Sequence, residues 1–449
     1  MWYDWANSAF TLTITTVIFP IYYEAVTKGM SIAQGLAEGN QYFIELLGVK
    51  VLNTSAYTFT VSFGFLLVAI LGPFLSGIAD YGGLKKRMMR LFVTLGSLGC
   101  FGLYFFTAET LPFALFCFWL GILGYAGSLV FYNAFLPEIA TEDQYDKVSA
   151  RGYSFGYIGS VLLLIFNLLT VLKLEWFFPL QAEADRLQAT GLSAAEALKE
   201  ARGYFEGLAS RLCFVSVGLW WLGFSQITFR RMPKEQALGK PEGLWRKGFG
   251  EIRKVFGELK QQAELKRYLI SYFFMSMGVQ TIMYVATLFG SSELHMSTDK
   301  LIATLLLIQL IAGPGAWLYA RWSGRVGNIR LLQLTTVLWM GVCVAAYFVQ
   351  HETQFYIIAA MVGFVMGGTQ SLLRSTYAKL IPDATPNHAS YFSFYEFSEK
   401  IAIVLGTFFF ALINEITGGM RPSALSLAGY FILSLIFLAM IRNFRIHKG

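Results

Sequence analysis

Long apolar runs alternate with short polar breaks along almost the whole chain, and a helix that crosses a bilayer needs about 20 mostly apolar residues. Twelve runs qualify: 3–24, 53–79, 87–107, 111–136, 150–173, 208–229, 267–290, 300–322, 329–349, 354–380, 390–414 and 422–443. An even number puts both chain ends on one side. One polar stretch stands apart, from Arg230 to Arg267, with Arg230, Arg231, Lys234, Lys240, Arg246, Lys247, Arg253, Lys254, Lys260, Lys266 and Arg267. The pattern predicts an all-α membrane protein divided into 1–229, a basic linker 230–266 and 267–449, with six spans on either side of the linker.

Two polar stretches carry helical patterns of their own. In the linker Trp245, Phe249, Ile252, Phe256 and Leu259 recur at helical spacing, with Lys247, Arg253, Lys254 and Lys260 off that stripe. Such a helix either lies on an anionic leaflet or packs on the protein's own face; the pattern admits both. In 181–206, Ser193 and Glu196 form a capping box that predicts a short charged helix.

Composition sharpens the class. Of 449 residues 55% are hydrophobic and 14% charged, against roughly 25% charged in soluble domains. The net charge of +7 does not point to nucleic acid, because the cations sit between apolar runs rather than on one soluble face. With the linker inside, inner loops and helix ends hold 25 of the 35 Lys and Arg, outer ones nine, and Lys400 lies within a span. Besides the linker, the inner groups are Lys85, Lys86, Arg87 and Arg90, and Arg442, Arg445 and Lys448. That asymmetry predicts cytoplasmic termini. The cysteines, Cys100, Cys117, Cys213 and Cys343, fall in apolar runs, and the four histidines fall in loops; neither set offers a disulfide framework, a metal site or a cofactor site. The first apolar run starts almost at Met1 without a basic region before it, so no cleavable signal is expected and the chain is expected to be a few residues short at this end.

The chain repeats itself. Gly72-Pro73 is followed by Asp80 at the distance that separates Gly313-Pro314 from Arg321, an offset of 241 residues. Tyr132 and Pro137 recur as Tyr377 and Pro382 at an offset of 245. Segments 2 and 8 therefore correspond, as do 4 and 10. Parallel six-helix repeats are the arrangement of major facilitator transporters, so two pseudo-symmetric six-helix bundles are expected. The inner turn Asp80-Tyr81-Gly82-Gly83-Leu84-Lys85-Lys86-Arg87 resembles the signature loop of that superfamily, with Ser76, Tyr81 and Leu84 departing from its usual pattern. The resemblance implies a cytoplasmic gate made by Asp80, Gly83, Lys85, Lys86 and Arg87, with Arg321 at the matching place in the second half. A carboxylate at a helix C-terminus opposes the dipole, so Asp80 needs a cation or a facing helix N-terminus.

Three further stretches resemble one branch of the superfamily: Tyr3-Asp4-Trp5-Ala6-Asn7-Ser8-Ala9-Phe10, Tyr132-Asn133-Ala134-Phe135-Leu136-Pro137-Glu138, and Gly367-Gly368-Thr369-Gln370-Ser371-Leu372-Leu373-Arg374-Ser375. They resemble the vacuole-effluxer-like family, which includes fungal autophagy-related exporters of vacuolar amino acids and many bacterial members. The resemblance implies a monomeric twelve-helix carrier in a bacterial inner membrane, with a small-molecule solute, protons and lipids as partners. It also implies a cavity near the midplane lined by Asn7, Thr13, Thr16, Asn133, Gln280, Tyr284 and Gln370. It leaves the solute open, and a lipid or lysolipid flippase or a non-transporting sensor would keep the same fold.

Ionisable residues inside a membrane are functional candidates. Asp4 is either a proton or amine site or a carboxylate held at a helix N-terminus. Glu138, after Pro137, reads mainly as interfacial structure, with Arg151 as its partner or a headgroup anchor. Arg374 lies deep enough in segment 10 to need a counter-charge. In segment 11 Glu396 and Lys400 are four apart and share a face, whereas Glu399 needs another partner, for which Arg374 is the candidate. Glu396, Glu399 and Lys400 form either a protonation-coupled site or a static ion-pair network. Gly152, Gly156 and Ser160, Gly121, Gly124 and Gly127, and Gly363, Gly367 and Ser371 mark close helix contacts. Gly152-Tyr153-Ser154-Phe155-Gly156 has the spacing of a hydrolase nucleophile elbow but follows no strand, and no P-loop for ATP is present in the sequence.

Overall fold

The computed structural model describes residues 1–38, 41–46, 48–233, 244–382, 385, 387–417 and 419–441. Eleven helices among them are long and apolar enough to cross a membrane: Trp2–Ala33, Phe59–Gly82, Lys85–Phe105, Leu111–Ala134, Glu142–Leu172, Ala194–Arg231, Ala263–Ser291, Asp299–Val326, Asn328–Phe348, Glu352–Leu380 and Met420–Ala439. A further long helix, His388–Thr417, supplies the eleventh of the twelve expected spans. It carries the charged cluster Glu396, Glu399 and Lys400. The spans are numbered one to twelve below in chain order.

Most predicted boundaries agree to within a turn or two, with three differences. The capping box at Ser193 is real, Ser193 Oγ accepting from Glu196 N at 3.3 Å, but the helix it opens is not short: it runs on for 38 residues through the sixth span. A small antiparallel sheet, β1 Ala37–Glu38, β2 Gln41–Leu46 and β3 Val49–Leu52, stands between the first two spans and was not expected. The first span is π-helical over Phe10–Ile18, where the hydroxyls of Thr15 and Thr16 both donate to the Thr11 carbonyl, at 2.5 and 2.8 Å. Threonine hydroxyls that compete for a backbone acceptor loosen the ordinary ladder.

The linker helix Leu244–Gln261 packs along the second span. Val255 is fully buried and Leu259 nearly so, while Phe256 is exposed. The helix packs on the protein's own face through Leu259 of the stripe and Val255 beside it, while Phe256 of the stripe stays exposed. The side chains of Trp245 and Phe249 lie outside the described residues, as do Lys234, Lys240, Arg442, Arg445 and Lys448.

Glycines set the tightest contacts. A Cβ at Gly367 would sit 1.9 Å from the Ala312 carbonyl, and one at Gly363 would sit 2.4 Å from the Ile308 carbonyl; the tenth span therefore lies directly on the backbone of the eighth. Gly124 rests in the same way on Gly96 of the third span. The two halves meet through the second span against the eleventh, and through the fifth against the eighth and tenth. The four cysteines are buried and free.

Candidate functional site

The opening octet is the keystone of the first half. Tyr3 donates to Ser128 Oγ of the fourth span. The Trp5 ring stacks on Trp220 at 5.5 Å, and Trp220 Nε1 donates to the Trp5 carbonyl at 2.9 Å. The fifth span makes room for this turn. A Cβ at Gly152 would lie 2.5 Å from Asp4 Oδ2, one at Gly156 2.5 Å from Ser8 Oγ, and one at Gly159 2.7 Å from the Trp5 ring. Asp4 is thereby held in a gap between the first, fourth and fifth spans, where Tyr132 donates to its Oδ2.

Arg374 of the tenth span enters that gap from the other half. Its Nη1 lies 3.3 Å from Asp4 Oδ1 and donates to Asn133 Oδ1 at 3.3 Å. Its Nε and Nη2 donate to Ser149 Oγ and to the Ser149 carbonyl, both at 3.0 Å. The Tyr153 ring lies 4.4 Å below the guanidinium. The expectation that Arg374 serves Glu399 is corrected: its carboxylate is Asp4, and five donor groups in a fixed fork suit this many-sided role.

Asn133 carries the contact onward, donating from Nδ2 to Glu396 Oε1 at 2.7 Å. Lys400 Nζ lies 3.3 Å from Glu396 Oε2 and 2.6 Å from Glu399 Oε2. Gln280 of the seventh span closes the series by donating to Glu399 Oε1 at 2.7 Å. A polar series thus runs Asp4, Arg374, Asn133, Glu396, Lys400, Glu399, Gln280 and crosses between the halves three times. Glu396 and Lys400 are almost fully buried, and Glu399 is partly open.

Other cavity candidates separate. Gln370 accepts from Tyr157 across the halves at 2.6 Å. Tyr284 is one turn beyond Gln280 and half exposed. Thr16 is also exposed. Asn7 and Thr13 do not line an open space in this structure: both are packed inside the first half, at 3% and 0% exposure.

At the linker end of the bundle Asp80 makes the first latch between the halves. Its side chain is fully buried and accepts from the backbone N–H of Ala389 at 3.2 Å and of Ser390 at 2.7 Å, in the first turn of the eleventh span. Lys85 Nζ stands 3.2 Å from Asp80 Oδ1 and also bridges to Glu138. Asp80 therefore has both partners expected of it, a cation and a helix N-terminus. Gly83 turns the chain in the left-handed region at φ 63°, which lets Lys85 start the next helix. Lys86 Nζ donates to the carbonyls of Met232 and Pro233. Two assignments move. Glu138 belongs with this latch rather than with the membrane charge series, and its partner is Lys85 rather than Arg151. Arg321 is exposed with its guanidinium over the Trp317 ring at 5.4 Å, outside the contact between the halves.

A second latch faces the first, and sequence reasoning missed it. Asp146, in the first turn of the fifth span, accepts from Ser323 Oγ at 2.7 Å and from Asn328 Nδ2 at 2.8 Å. Lys379 Nζ of the tenth span lies 2.7 Å from Asp146 Oδ2 and donates to Asn328 Oδ1 at 3.1 Å. Asn328 also donates to Thr376 Oγ1 at 3.0 Å. A signal was present: offsets of 241 and 245 carry Asp146 to residues 387 and 391, on either side of the Ala389 and Ser390 N–H groups that hold Asp80.

The family model for vacuole effluxers like Atg22 matches residues 1–447. An MFS-type transporter of Bacillus subtilis, YxiO, is 30% identical over 98% of this chain and 93% of its own. Autophagy-related protein 22-1 of Phaeosphaeria nodorum is 25% identical over 92% of this chain and 81% of its own. Among solved structures, the transporter FucP in its outward conformation superposes with a TM-score of 0.65 at 13% identity, over 98% of both chains. The proton:xylose symporter XylE superposes at 0.65 with 14% identity, over 98% of this chain and 94% of its own. At these identities the last two speak for the fold alone, which is that of the major facilitators.

Proposed function

The chain belongs to the vacuole effluxer Atg22-like family, and on that premise we propose that it is a proton-coupled secondary transporter of a small amino-acid-like solute. It works by alternating access as a monomer in a bacterial inner membrane, with linker and termini cytoplasmic. The observation that carries this reading is the buried polar series from Asp4 to Gln280. Charges inside a membrane are costly and persist where they pair or face a pathway. Here two carboxylates of the eleventh span, Glu396 and Glu399, converge on one ammonium, Lys400.

The chemistry follows from that arrangement. One ammonium between two carboxylates leaves an excess negative charge, which a proton on Glu396 or Glu399 would neutralise. Glu399, the more open of the two, is where a proton or a solute ammonium would arrive. Protonation frees Lys400 to meet a solute carboxylate. Neutralising Glu396 also weakens its pull on Asn133, which in turn shares an oxygen with Arg374. Cavity occupancy is thereby passed to the Asp4–Arg374 contact between the halves. On this reading the two latches hold the linker side closed, in one member of the alternating pair.

The test has two stages. Thermal stabilisation of the purified protein is measured against amino acids, dipeptides, sugars, nucleosides and lysolipids; a ligand at 100 times its Kd adds about 2.7 kcal/mol. A selective shift names the solute for flux into liposomes. With Glu396→Gln and Glu399→Gln together, flux should no longer respond to a pH gradient; coupling that survives both changes sinks the proton-coupling reading. A shift with lysolipids alone would replace the amino-acid class by a flippase.

A further inference from the structure

The linker helix joins the last six spans by a single residue, Gln262, before Ala263 begins the seventh. Its packed face nevertheless lies on the second span, in the first half. Val255 and Leu259 are buried there. The same helix also grips the eleventh span at the first latch. Tyr391 Oη donates to Glu258 Oε2 at 2.7 Å, and Phe256 stacks on Phe394 at 5.9 Å. Tyr391 directly follows Ser390, whose N–H binds Asp80, and its own carbonyl accepts from Tyr377 of the tenth span at 2.7 Å.

We propose that the linker helix is a strap that holds the linker side closed, with Glu258 and Tyr391 as its positioning residues. The helix is chained to one half, buried on the other, and hydrogen-bonded to the first turn of the eleventh span, which forms the latch between them. When the second and eleventh spans part, the strap must give up one of its two attachments. If it stays on the second span, the Glu258–Tyr391 hydrogen bond and the Phe256–Phe394 stack break. Following the second half would instead strip Val255 and Leu259 from their packing, so the strap stays on the second span, its larger contact. The broken hydrogen bond and stack then raise the free energy of the open form relative to the closed one. The carboxylate makes the hydrogen bond a charge-assisted one, stronger than a neutral pair. Because the helix carries Arg253, Lys254 and Lys260 on its exposed side, the strap also presents a charged handle next to the gate.

This inference rests on the alternating-access reading, and its test uses the full chain without solute so that the two can fail separately. Spin labels at Gln144→Cys and Arg325→Cys, both exposed and on opposite halves, report separation of the linker side. Tyr391→Phe keeps the ring and removes the donor; Glu258→Ala removes the acceptor. Each should raise the ratio of open to closed distances about tenfold, or about 1.4 kcal/mol. The double variant should do no more than Tyr391→Phe alone, since both singles remove the Glu258 bond and Tyr391→Phe also removes the acceptor of the Gln262 contact at 3.5 Å. Glu258→Gln, which keeps an acceptor, should restore most of the closed population. Unchanged distances in both single variants, or additive shifts, would overturn the strap. A chain that transports with wild-type coupling in the face of unchanged distances would overturn it while leaving the transporter intact.

Discussion

The two latches do the same mechanical job with opposite chemistry. In the first, the carboxylate stands at the end of the second span and its donors are backbone, the N–H groups of Ala389 and Ser390. In the second, the carboxylate has crossed to the other partner: Asp146 begins the fifth span, and the groups that hold it are side chains, Ser323, Asn328 and Lys379. A helix N-terminus donates whatever its residues are, so the first latch depends on one carboxylate and its lysine. The second depends on four residues agreeing. Symmetry of the fold thus constrains where a contact between the halves occurs, and leaves open which half supplies the charge.

The contrast predicts unequal fragility. Asp146→Asn leaves the ammonium of Lys379, only 6% exposed, without its counter-charge, and breaking a buried pair from one side costs about 3–5 kcal/mol. Thermal unfolding in detergent should show the largest loss of the series. Adding Lys379→Met to Asp146→Asn should recover part of that loss, because the stranded charge is gone; a double variant as damaged as the sum of the singles would refute the pairing.

Asp80→Asn should be milder. The amide oxygen can still accept from Ser390, and Lys85 keeps Glu138 as a partner. What is lost is one charge-assisted contact, about 1.5–3 kcal/mol. Distances across the linker side, rather than unfolding alone, are the measurement that separates this effect from a general loss of packing. If Asp80→Asn proved more harmful than Asp146→Asn, the backbone-based latch would be the stricter of the two and the comparison would reverse.

Between the latches, Gly152→Ala tests the gap that holds Asp4. Its new methyl would lie 2.5 Å from Asp4 Oδ2 and 2.9 Å from Arg374 Nη2, and overpacking of this kind costs about 1–3 kcal/mol. The expected outcome is a lower unfolding temperature and a changed spread of distances between the halves. The change should be smaller in a Gly203→Ala control, where a Cβ meets nothing within 4 Å.

What could be read from the sequence divides along a physical line. Periodicity placed the spans, because each must cover the same hydrocarbon thickness. The demand that Asp80 find a cation or a helix N-terminus came from local electrostatics, and both partners are there. Partners that lie hundreds of residues away were another matter. Arg374 had a plausible neighbour in Glu399, but only the packing of the first span, seated on Gly152 and Gly156, brings Asp4 within its reach. Asn133 was chosen as a cavity residue, and its bridging place between Arg374 and Glu396 depends on the fourth, tenth and eleventh spans meeting at one level. Asp146 went unnoticed because an acid in the first turn of a helix is ordinary, and nothing nearby in sequence marks it as a contact with the other half.

Arg321 gives the smallest effect and the cleanest check on that reading. By the internal repeat it matches Asp80, and a latch built by strict symmetry would place it between the halves. The structure instead shows it exposed over Trp317, because Asp146 has taken over the contact from the opposite side and an acid in the loop would now face another acid. Arg321→Ala should therefore change stability by no more than about 0.5 kcal/mol, the range of an exposed site, and leave distances across the linker side unaltered. Arg321→Asp sharpens the same point. If the position lies outside the latch, the reversed charge is tolerated nearly as well as alanine; if it lies inside, a second carboxylate near Asp146 would open the linker side and appear directly as longer distances.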